Sequence, residues 1–303
     1  MDRIIKPLTQ MGVEINSNKG FLPVSVNPQN INGISFEQTV ASAQVKSCII
    51  LAALGGNGDT YIKEKVKTRD HSELMLQELG ASIHFNGEIS VKPLTRPLRP
   101  FEITVPGDPS SSAFFAAAAA LIPNSSITIK NILANPTRIG FYNILEQMGG
   151  GVEWMNLRKE CGELVGDVHV YWKPLNGLDI IPEVVPSVID EIPIISILAT
   201  QADGITTISG ADELRVKECD RINAICENLI AMGGDVIEKK DGLIISQSNI
   251  LHNTNINTYG DHRIAMSFMI AGLLTEDMNT LDNAECINIS FPEFHTVLEQ
   301  LIV

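Results

Sequence analysis

A short phrase recurs four times in the chain and constrains its fold more than any other feature. Each copy has a leucine three residues before Met-Gly or Leu-Gly, followed by an alternating pattern typical of a strand. The glycines are Gly12, Gly80, Gly149 and Gly233, and such a glycine is typical of the left-handed cap that ends a helix. Four copies at near-equal spacing predict a duplicated α/β unit of about 70 residues.

Within each unit the pattern predicts an apolar helix behind a Ser, Thr or Asp cap, then a strand, a second helix and the glycine phrase. The clearest helix follows Pro106-Gly107, where serines fill the first turn and the run from Ala113 to Leu121 is almost purely apolar. We predict a capped helix that is buried on all sides. We also place a domain boundary here, which divides the chain into domains 1–106 and 107–303.

Composition excludes several classes of function. A chain of 303 residues with 44% hydrophobic and 19% charged residues is typical of a folded, cytoplasmic protein of two domains. The net charge of −14 argues against nucleic acid or anionic membranes as partners. The five cysteines lack paired spacing, which favours reduced thiols over a zinc site, and the apolar runs are too short to span a membrane.

Two charged clusters stand at the predicted starts of helices. The stretch Arg215–Arg221 holds three cations and two carboxylates, and Gly260–Arg263 precedes a predicted helix from Ile264 to Leu274, with Asp261 as its cap. Each cluster alone is well explained as a solvated helix end. Two of them in one half of the chain favour an anion site, because helix N-termini and arginine side chains both attract negative groups.

Seven motifs, taken in order, resemble those of the EPSP synthase (3-phosphoshikimate 1-carboxyvinyltransferase) family. They are Ser42–Ser47, Lys67–Glu73, Pro106–Phe115, Asp190–Pro193, Val216–Arg221, Asp261–Met266 and Ser290–Pro292. The resemblance implies the inside-out α/β fold of enolpyruvyl transferases, with two domains built from βαβαββ units. It also implies transfer of the enolpyruvyl group of phosphoenolpyruvate to the 5-hydroxyl of shikimate 3-phosphate, without a metal or an organic cofactor.

The resemblance assigns roles to five residues in the second half of the chain. It implies that Arg221 and Arg263 clamp phosphoenolpyruvate and that Lys217 contacts shikimate 3-phosphate. Asp190 would accept the hydroxyl proton, and Glu218 would deliver a proton to the methylene carbon. Bidentate guanidinium contacts suit both the carboxylate and the phosphate of phosphoenolpyruvate.

Four residues of the first half match the shikimate 3-phosphate pocket of the family. They are Ser42 and Gln44, with Gln44 also reaching phosphoenolpyruvate, and Thr68 and Arg69 in a neighbouring wall. Ser42 has a plainer interpretation, because a serine at this position could be a helix cap alone.

The other assignments have plainer alternatives as well. Asp190 and Glu191 could cap the helix that carries Ile192 to Leu198. Lys217 and Glu218 could pair on a solvated surface, where an ion pair contributes less than ~1 kcal/mol to stability. His262 could be a hydrogen-bonding residue at a helix start, with no part in proton transfer.

The resemblance also indicates two departures from the family pattern. The stretch Met1–Leu8 matches a position that normally follows a longer N-terminal region, which holds a Lys-Ser…Arg element and a Gly-Asn-(Ser/Ala)-Gly-Thr loop. Our hypothesis is an N-terminally truncated enzyme with an incomplete first domain, and we predict little or no transferase activity for the chain alone. Ile289 stands where some members carry a lysine that touches phosphoenolpyruvate.

Two other functions stay open at this point. A transferase that acts on UDP-N-acetylglucosamine would share the fold and the donor, but it usually carries a reactive cysteine in a polar loop of the first domain, and no cysteine here has that setting. A non-catalytic module that kept the anion pocket would bind shikimate 3-phosphate without turnover. For any of these functions we expect a monomer.

Overall fold

The computed structural model describes residues 1–27, 29–248 and 250–302. The chain forms two compact units: unit 1 comprises Met1–Val105 and Lys159–Leu164, and unit 2 comprises Pro106–Arg158 and Val165–Val303. Independent folding of the two parts, with a boundary at residues 106 and 107, stays a prediction. Among the described residues there is no helix long and apolar enough to cross a membrane.

Unit 1 contains a hairpin and a four-stranded sheet with helices packed on it. In chain order its elements are α1 (Asp2–Gln10), β1 (Glu14–Asn18), β2 (Phe21–Asn27), β3 (Ser35–Gln38), α2 (Ala43–Leu54), β4 (Thr60–Glu64), α3 (His71–Glu78), β5 (Ile83–Asn86) and β6 (Glu88–Val91). The sheet order is β3-β4-β6-β5, in which only the pair β3 and β4 is parallel. Ile49, Ile50, Ile62, Ile83 and Val91 are among the side chains of its core.

Unit 2 carries further copies of the same arrangement. Its elements are α4 (Pro109–Leu121), β7 (Ser126–Leu133), α5 (Gly140–Gln147), β8 (Gly151–Glu160), β9 (Glu163–Tyr171), β10 (Asp179–Ile180), α6 (Val185–Val188), α7 (Ile192–Thr200), β11 (Ile205–Ile208), α8 (Arg221–Ala231), β12 (Asp235–Lys239), β13 (Gly242–Ser246), β14 (Asn255–Ile256), α9 (His262–Gly272), β15 (Thr280–Leu281) and α10 (Phe294–Leu301). Short 3₁₀ helices at Asp212–Val216 and Ala284–Ile289 complete the described elements, and the tip of the β8-β9 hairpin, Lys159–Leu164, is counted with unit 1.

The sheets show the predicted duplication directly. The order β10-β11-β13-β12 in unit 2 repeats β3-β4-β6-β5 in unit 1, with a parallel first pair and antiparallel pairs after it. The three-stranded sheet β7-β9-β8 has an isolated parallel bridge between Gly107 and Ile132 at the position of a first strand. Because a parallel pair needs a crossover connection, usually a helix, this topology corresponds to the predicted βαβαββ unit.

The four repeated glycines end their helices as predicted. Gly12, Gly80, Gly149 and Gly233 have φ values of 90°, 97°, 95° and 84°. At each site the glycine N–H and the next N–H donate to carbonyls of the last helical turn, as in Gly149 to Glu146 (2.9 Å) and Gly150 to Leu145 (2.9 Å). These bonds satisfy carbonyls that a helix end would otherwise leave unpaired.

A further bond of the repeat was not visible in the sequence. The carbonyl of the Met or Leu before each glycine accepts an N–H from a residue 20 to 28 positions later in the chain. The pairs are Asn32 to Met11 (2.8 Å), Arg99 to Leu79 (2.9 Å), Asn176 to Met148 (2.8 Å) and His252 to Met232 (2.8 Å). Each helix end is therefore hydrogen-bonded to the segment that follows the last strand of its repeat.

The core of unit 2 is built around three apolar helices, α4, α7 and α9. Asp108 caps α4 by accepting the Ser111 N–H at 3.1 Å, and most side chains from Ala113 to Leu121 are buried, as predicted. Helix α9 begins two residues earlier than predicted, at His262, because Asp261 accepts the N–H groups of both Arg263 (2.8 Å) and Ile264 (3.4 Å). The prediction that Asp261 caps this helix is confirmed.

Candidate active site

Asp190 lies at the centre of a charged cluster in unit 2. It follows α6 and stands two residues before α7, and three cations from other segments surround its carboxylate. The Oδ1 atom lies 3.6 Å from Lys217 Nζ and 3.5 Å from Arg221 Nη1, and Oδ2 lies 4.0 Å from Arg263 Nη2. Four of the residues that the sequence singled out are therefore brought together, although up to 73 residues separate them along the chain.

Arg221 is the buried cation of this cluster. It is the first residue of α8, and its side chain is 1% exposed. Its Nε donates to Asp261 Oδ2 at 2.7 Å and its Nη2 donates to Glu218 Oε2 at 2.7 Å. Its Nη1 is buried and makes no hydrogen bond within the part of the chain that the structure describes. A buried donor without a hydrogen bond is costly, and this one lies 3.5 Å from Asp190 Oδ1, where it forms an ion pair but no hydrogen bond.

Asp261 has two functions, of which the sequence predicted one. It caps α9, and it also holds the guanidinium of Arg221. Burial by itself would raise the pKa of Asp261, but the hydrogen bond and charge of Arg221 outweigh it and hold that pKa below its ordinary value. The carboxylate therefore stays ionised at neutral pH and compensates the buried cation.

Arg263 lies in the first turn of α9, where its side chain is mostly covered. Its Nη1 donates to the backbone carbonyl of Asp190 at 3.2 Å and lies 3.8 Å from Glu191 Oε1. These contacts fix the guanidinium beside the Asp190 carboxylate without using all of its donors.

Glu191 does not cap α7, although the sequence offered capping as an alternative. It occupies the N-cap position of α7 but makes no capping hydrogen bond, and its side chain is buried. Burial raises the pKa of its carboxyl, although Ser110 and Arg263 act in the opposite direction. The capping alternative is wrong for Glu191, because its side chain points to Ser110 and Arg263 rather than back to its own helix.

Glu218 is the more accessible carboxylate of the cluster. Its side chain is 52% exposed and pairs with Arg221 one turn away, rather than with Lys217 as the plainer alternative supposed. Lys217 contacts Asp190 instead. The solvated pair of Lys217 with Glu218 is therefore not what the structure contains.

Arg215 makes its hydrogen bonds outside the charged cluster around Asp190. Its guanidinium donates to Asp220 (2.8 Å), Glu238 (2.9 Å) and the carbonyls of Lys239 and Lys240. Since Asp220 is the N-cap of α8, Arg215 stiffens the turn that presents Lys217 and Glu218. The sequence analysis grouped Arg215 with the cations of the site, but its contacts hold the turn before α8 instead.

Two other titratable side chains of these motifs are neutral at pH 7. Burial and the nearby charge of Asp261 raise the pKa of the Cys219 thiol to about 12, so it is protonated and unreactive. Burial and the neighbouring Arg263 lower the pKa of His262. Within the described residues, no group of three or more His, Cys, Asp or Glu side chains is arranged to hold a metal ion.

The four predicted residues of unit 1 lie at the N-terminal ends of α2 and α3. The Ser42 hydroxyl caps α2 by accepting the Val45 N–H at 3.4 Å. Gln44 and Arg69 line one open pocket, together with polar side chains that the sequence did not single out, Ser47, His71 and Ser72. Thr68 stands beside Arg69 and is hydrogen-bonded to Glu64.

Known proteins are similar to this chain in sequence and in fold. The sequence profile described as EPSP synthase (3-phosphoshikimate 1-carboxyvinyltransferase) matches residues 1–298. The chain is 45% identical over 308 residues to the 3-phosphoshikimate 1-carboxyvinyltransferase of Sulfurihydrogenibium sp., and 46% identical over 308 residues to that of Persephonella marina. These matches cover 99% and 100% of this chain, respectively, and 71% of each relative.

The chain belongs to the EPSP synthase family. Solved structures agree, since an EPSP synthase from Acinetobacter baumannii superposes with a TM-score of 0.91 at 39% identity, covering 99% of this chain and 70% of that one. The enolpyruvyl transferase NikO from Streptomyces tendae shares the fold alone, with a TM-score of 0.76 at 17% identity and the same two coverages. The predicted enolpyruvyl transferase fold is confirmed.

Proposed function

We propose that this chain serves the reaction for which its EPSP synthase relatives are named. It would transfer the enolpyruvyl group of phosphoenolpyruvate to the 5-hydroxyl of shikimate 3-phosphate, a step towards aromatic amino acids. One observation carries the proposal: Arg221 is buried with Nη1 making no hydrogen bond within the described residues, beside Asp190, Lys217 and Arg263. The names of the relatives favour this acceptor over UDP-N-acetylglucosamine.

The cations supply the clamp for phosphoenolpyruvate in this proposal. Arg221 and Arg263 offer guanidinium donors on either side of Asp190, and a charge-assisted hydrogen bond to a carboxylate or phosphate contributes about 1.5–3 kcal/mol. Arg221 is already fixed by Asp261 and Glu218, so it loses little side-chain entropy when an anion arrives. Lys217 would contact shikimate 3-phosphate.

Two carboxylates supply the proton transfers. The 5-hydroxyl oxygen forms a bond to C2 of phosphoenolpyruvate while Asp190 accepts the hydroxyl proton and Glu218 gives a proton to the methylene carbon. Phosphate then leaves, and the methyl group returns a proton as the carbon–carbon double bond forms again. The exposure of Glu218 gives it access to a ligand in the same space.

Residues of unit 1 would bind the phosphorylated acceptor. We assign Ser42, Gln44, Thr68 and Arg69 to shikimate 3-phosphate, with Gln44 also reaching phosphoenolpyruvate. The N-terminal end of α2 favours negative charge through its exposed N–H groups and its dipole, and Arg69 adds a full positive charge beside it.

Calorimetry with phosphoenolpyruvate and shikimate 3-phosphate tests the binding step. We expect Arg263→Met to weaken phosphoenolpyruvate binding at least about tenfold, because one charge-assisted contact is lost. The control is Lys173→Met, which removes the same charge from an exposed site after β9. Equal affinity in Arg263→Met and Lys173→Met contradicts the proposed clamp.

Phosphate release with both substrates tests turnover in the same samples. Binding of both ligands with little release agrees with the sequence-based prediction that the chain alone has little or no activity. Turnover close to that of its relatives contradicts that prediction but supports the proposed reaction.

The monomeric state and the cytoplasmic location also stay predictions. Sedimentation of the purified chain tests the monomeric state.

A further inference from the structure

Lys46 is a fully buried cation that the proposed mechanism does not use. It lies one turn into α2, and its side chain is 1% exposed. Its Nζ lies 2.7 Å from Glu73 Oε1 on α3 and 3.2 Å from Glu64 Oε2 at the end of β4. The three side chains form a closed ionic triad between two helices and a strand of unit 1.

Stability alone does not explain this triad. Taking three charges out of water costs more than their mutual attraction commonly returns, and apolar side chains of similar volume can pack as well or better. Burial raises the pKa of Glu73 although Lys46 acts against it, and Glu73 Oε2 is buried without a hydrogen bond within the described residues. The triad therefore carries an energetic cost for which some other benefit is expected.

Glu64 connects the triad to the surface. Its Oε1 accepts both the backbone N–H of Thr68 at 3.1 Å and the Thr68 hydroxyl at 2.5 Å, while its Oε2 is held by Lys46. The segment between β4 and α3 is thereby fixed at Thr68. The next residue, Arg69, lines the pocket that also contains Gln44 and Ser47 from α2.

We propose that Lys46, acting through Glu64, is a positioning residue that holds the Thr68-Arg69 segment against the pocket of α2. Lys46 does not touch the ligand itself. It fixes one carboxylate oxygen of Glu64, so that the other oxygen restrains the residue before Arg69. The identity of the ligand, shikimate 3-phosphate, rests on the proposed function.

The triple variant K46M/E64L/E73L separates positioning from stability. It replaces the triad by apolar side chains of similar volume, so we expect a melting temperature at or above that of the wild type. Protection of the Thr68 amide from hydrogen exchange should fall at least about tenfold, because its acceptor is gone. Affinity for shikimate 3-phosphate should fall at least about tenfold, while phosphoenolpyruvate affinity changes less than about twofold.

Two results would overturn the proposal. One is a triple variant whose Thr68 amide stays as protected as in the wild type, and the other is lost protection with unchanged shikimate 3-phosphate affinity. If the triple variant does not fold, hydrogen exchange of the wild type still tests the proposal. A wild-type Thr68 amide that exchanges as fast as an unstructured peptide would show that Glu64 does not restrain this segment.

A control variant in the same segment removes a lysine but spares the triad. Lys65→Met removes a lysine from the same segment, where it pairs with Glu37 on the surface, and both side chains are 59% exposed. We expect normal Thr68 protection and normal affinity for shikimate 3-phosphate. If the wild type binds no shikimate 3-phosphate while Thr68 is protected, the proposed function fails. Thr68 exchange in Lys46→Met, which keeps Glu64, still decides whether Lys46 restrains the segment: protection equal to that of the wild type would overturn the proposal.

Discussion

In the part of the chain that the structure describes, two cations are buried among carboxylates, and the two sites differ in which buried atom lacks a hydrogen bond. In unit 1, Lys46 is enclosed by Glu64 and Glu73, and the unpaired buried atom is an acceptor, Glu73 Oε2. In unit 2, Arg221 is held by Asp261 and Glu218, and the buried atom without a hydrogen bond is a donor, Nη1.

The difference shows how one kind of interaction can support structure or binding. A lysine is a compact charge that two carboxylates can surround, so the site in unit 1 can be closed. An arginine has five donors, and its partners here leave one nitrogen facing Asp190 and the cations Lys217 and Arg263. The closed site restrains a loop in our proposal, and the open one receives an anion.

The largest expected effect comes from Arg221→Met. It leaves Asp261 buried without its cation, and breaking a buried ion pair in this way costs about 3–5 kcal/mol. Urea unfolding measures the loss. The double variant R221M/D261N should recover part of that stability but not phosphoenolpyruvate binding, and a loss below about 1 kcal/mol in Arg221→Met would contradict the proposed charge compensation.

Lys46→Met should cost about 3 kcal/mol or slightly more, because it leaves two carboxylates without their cation in a covered site. The triple variant K46M/E64L/E73L should restore all of that loss, as thermal unfolding would show. If the single and triple variants are equally destabilised, Lys46 contributes by packing rather than by charge compensation.

Glu191→Gln tests the buried carboxyl beside Asp190 through pH. Burial raises the folded-state pKa of Glu191 above its ordinary value of 4.5, so the folded state binds this proton more tightly than the unfolded state. The stability that this proton contributes is fully present below pH 4.5 and is lost as pH rises through the folded pKa.

The expected result is therefore a difference between two pH profiles. Unfolding measured from about pH 4 to pH 8 should show the wild type losing stability relative to Glu191→Gln as pH rises. Glu73 also has a raised pKa, but it is present in both proteins and cancels in the difference. Parallel profiles would contradict the interpretation of Glu191.

The smallest effect is expected for the surface pair of Lys65 and Glu37. Solvent screens both exposed charges, so Lys65→Met should change the free energy of unfolding by about 0–1 kcal/mol. The same urea measurement provides the comparison with Arg221→Met. A loss as large as that of Lys46→Met would mean that burial does not govern the ion pairs of this protein.

Local chemistry made part of the fold predictable from sequence. Gly149 needs its left-handed conformation and Asp261 caps α9 through bonds within a few residues, so both could be recognised in the sequence. The motif residues Asp190, Lys217, Arg221 and Arg263 were recognised through the family resemblance. Their functional roles stay predictions, whereas their proximity is now observed in unit 2.

Other features depend on contacts between distant segments. Capping was the plainer alternative for Glu191, but its environment is set by Ser110 on α4 and Arg263 on α9. Arg215 looked like a site cation, yet Glu238 on a later strand holds it. Neither outcome could follow from spacing, because side chains this far apart in sequence meet only after the helices have packed.

The sequence by itself determined the repeated α/β units and their helix ends, since glycine and aspartate act on the backbone beside them. Only the tertiary structure decided that Lys46 is enclosed by carboxylates, whereas Arg221 keeps a donor nitrogen without a hydrogen bond. That choice depends on which carboxylates neighbouring elements bring within hydrogen-bond distance: Glu64 and Glu73 around Lys46, and Asp261 and Glu218 around Arg221.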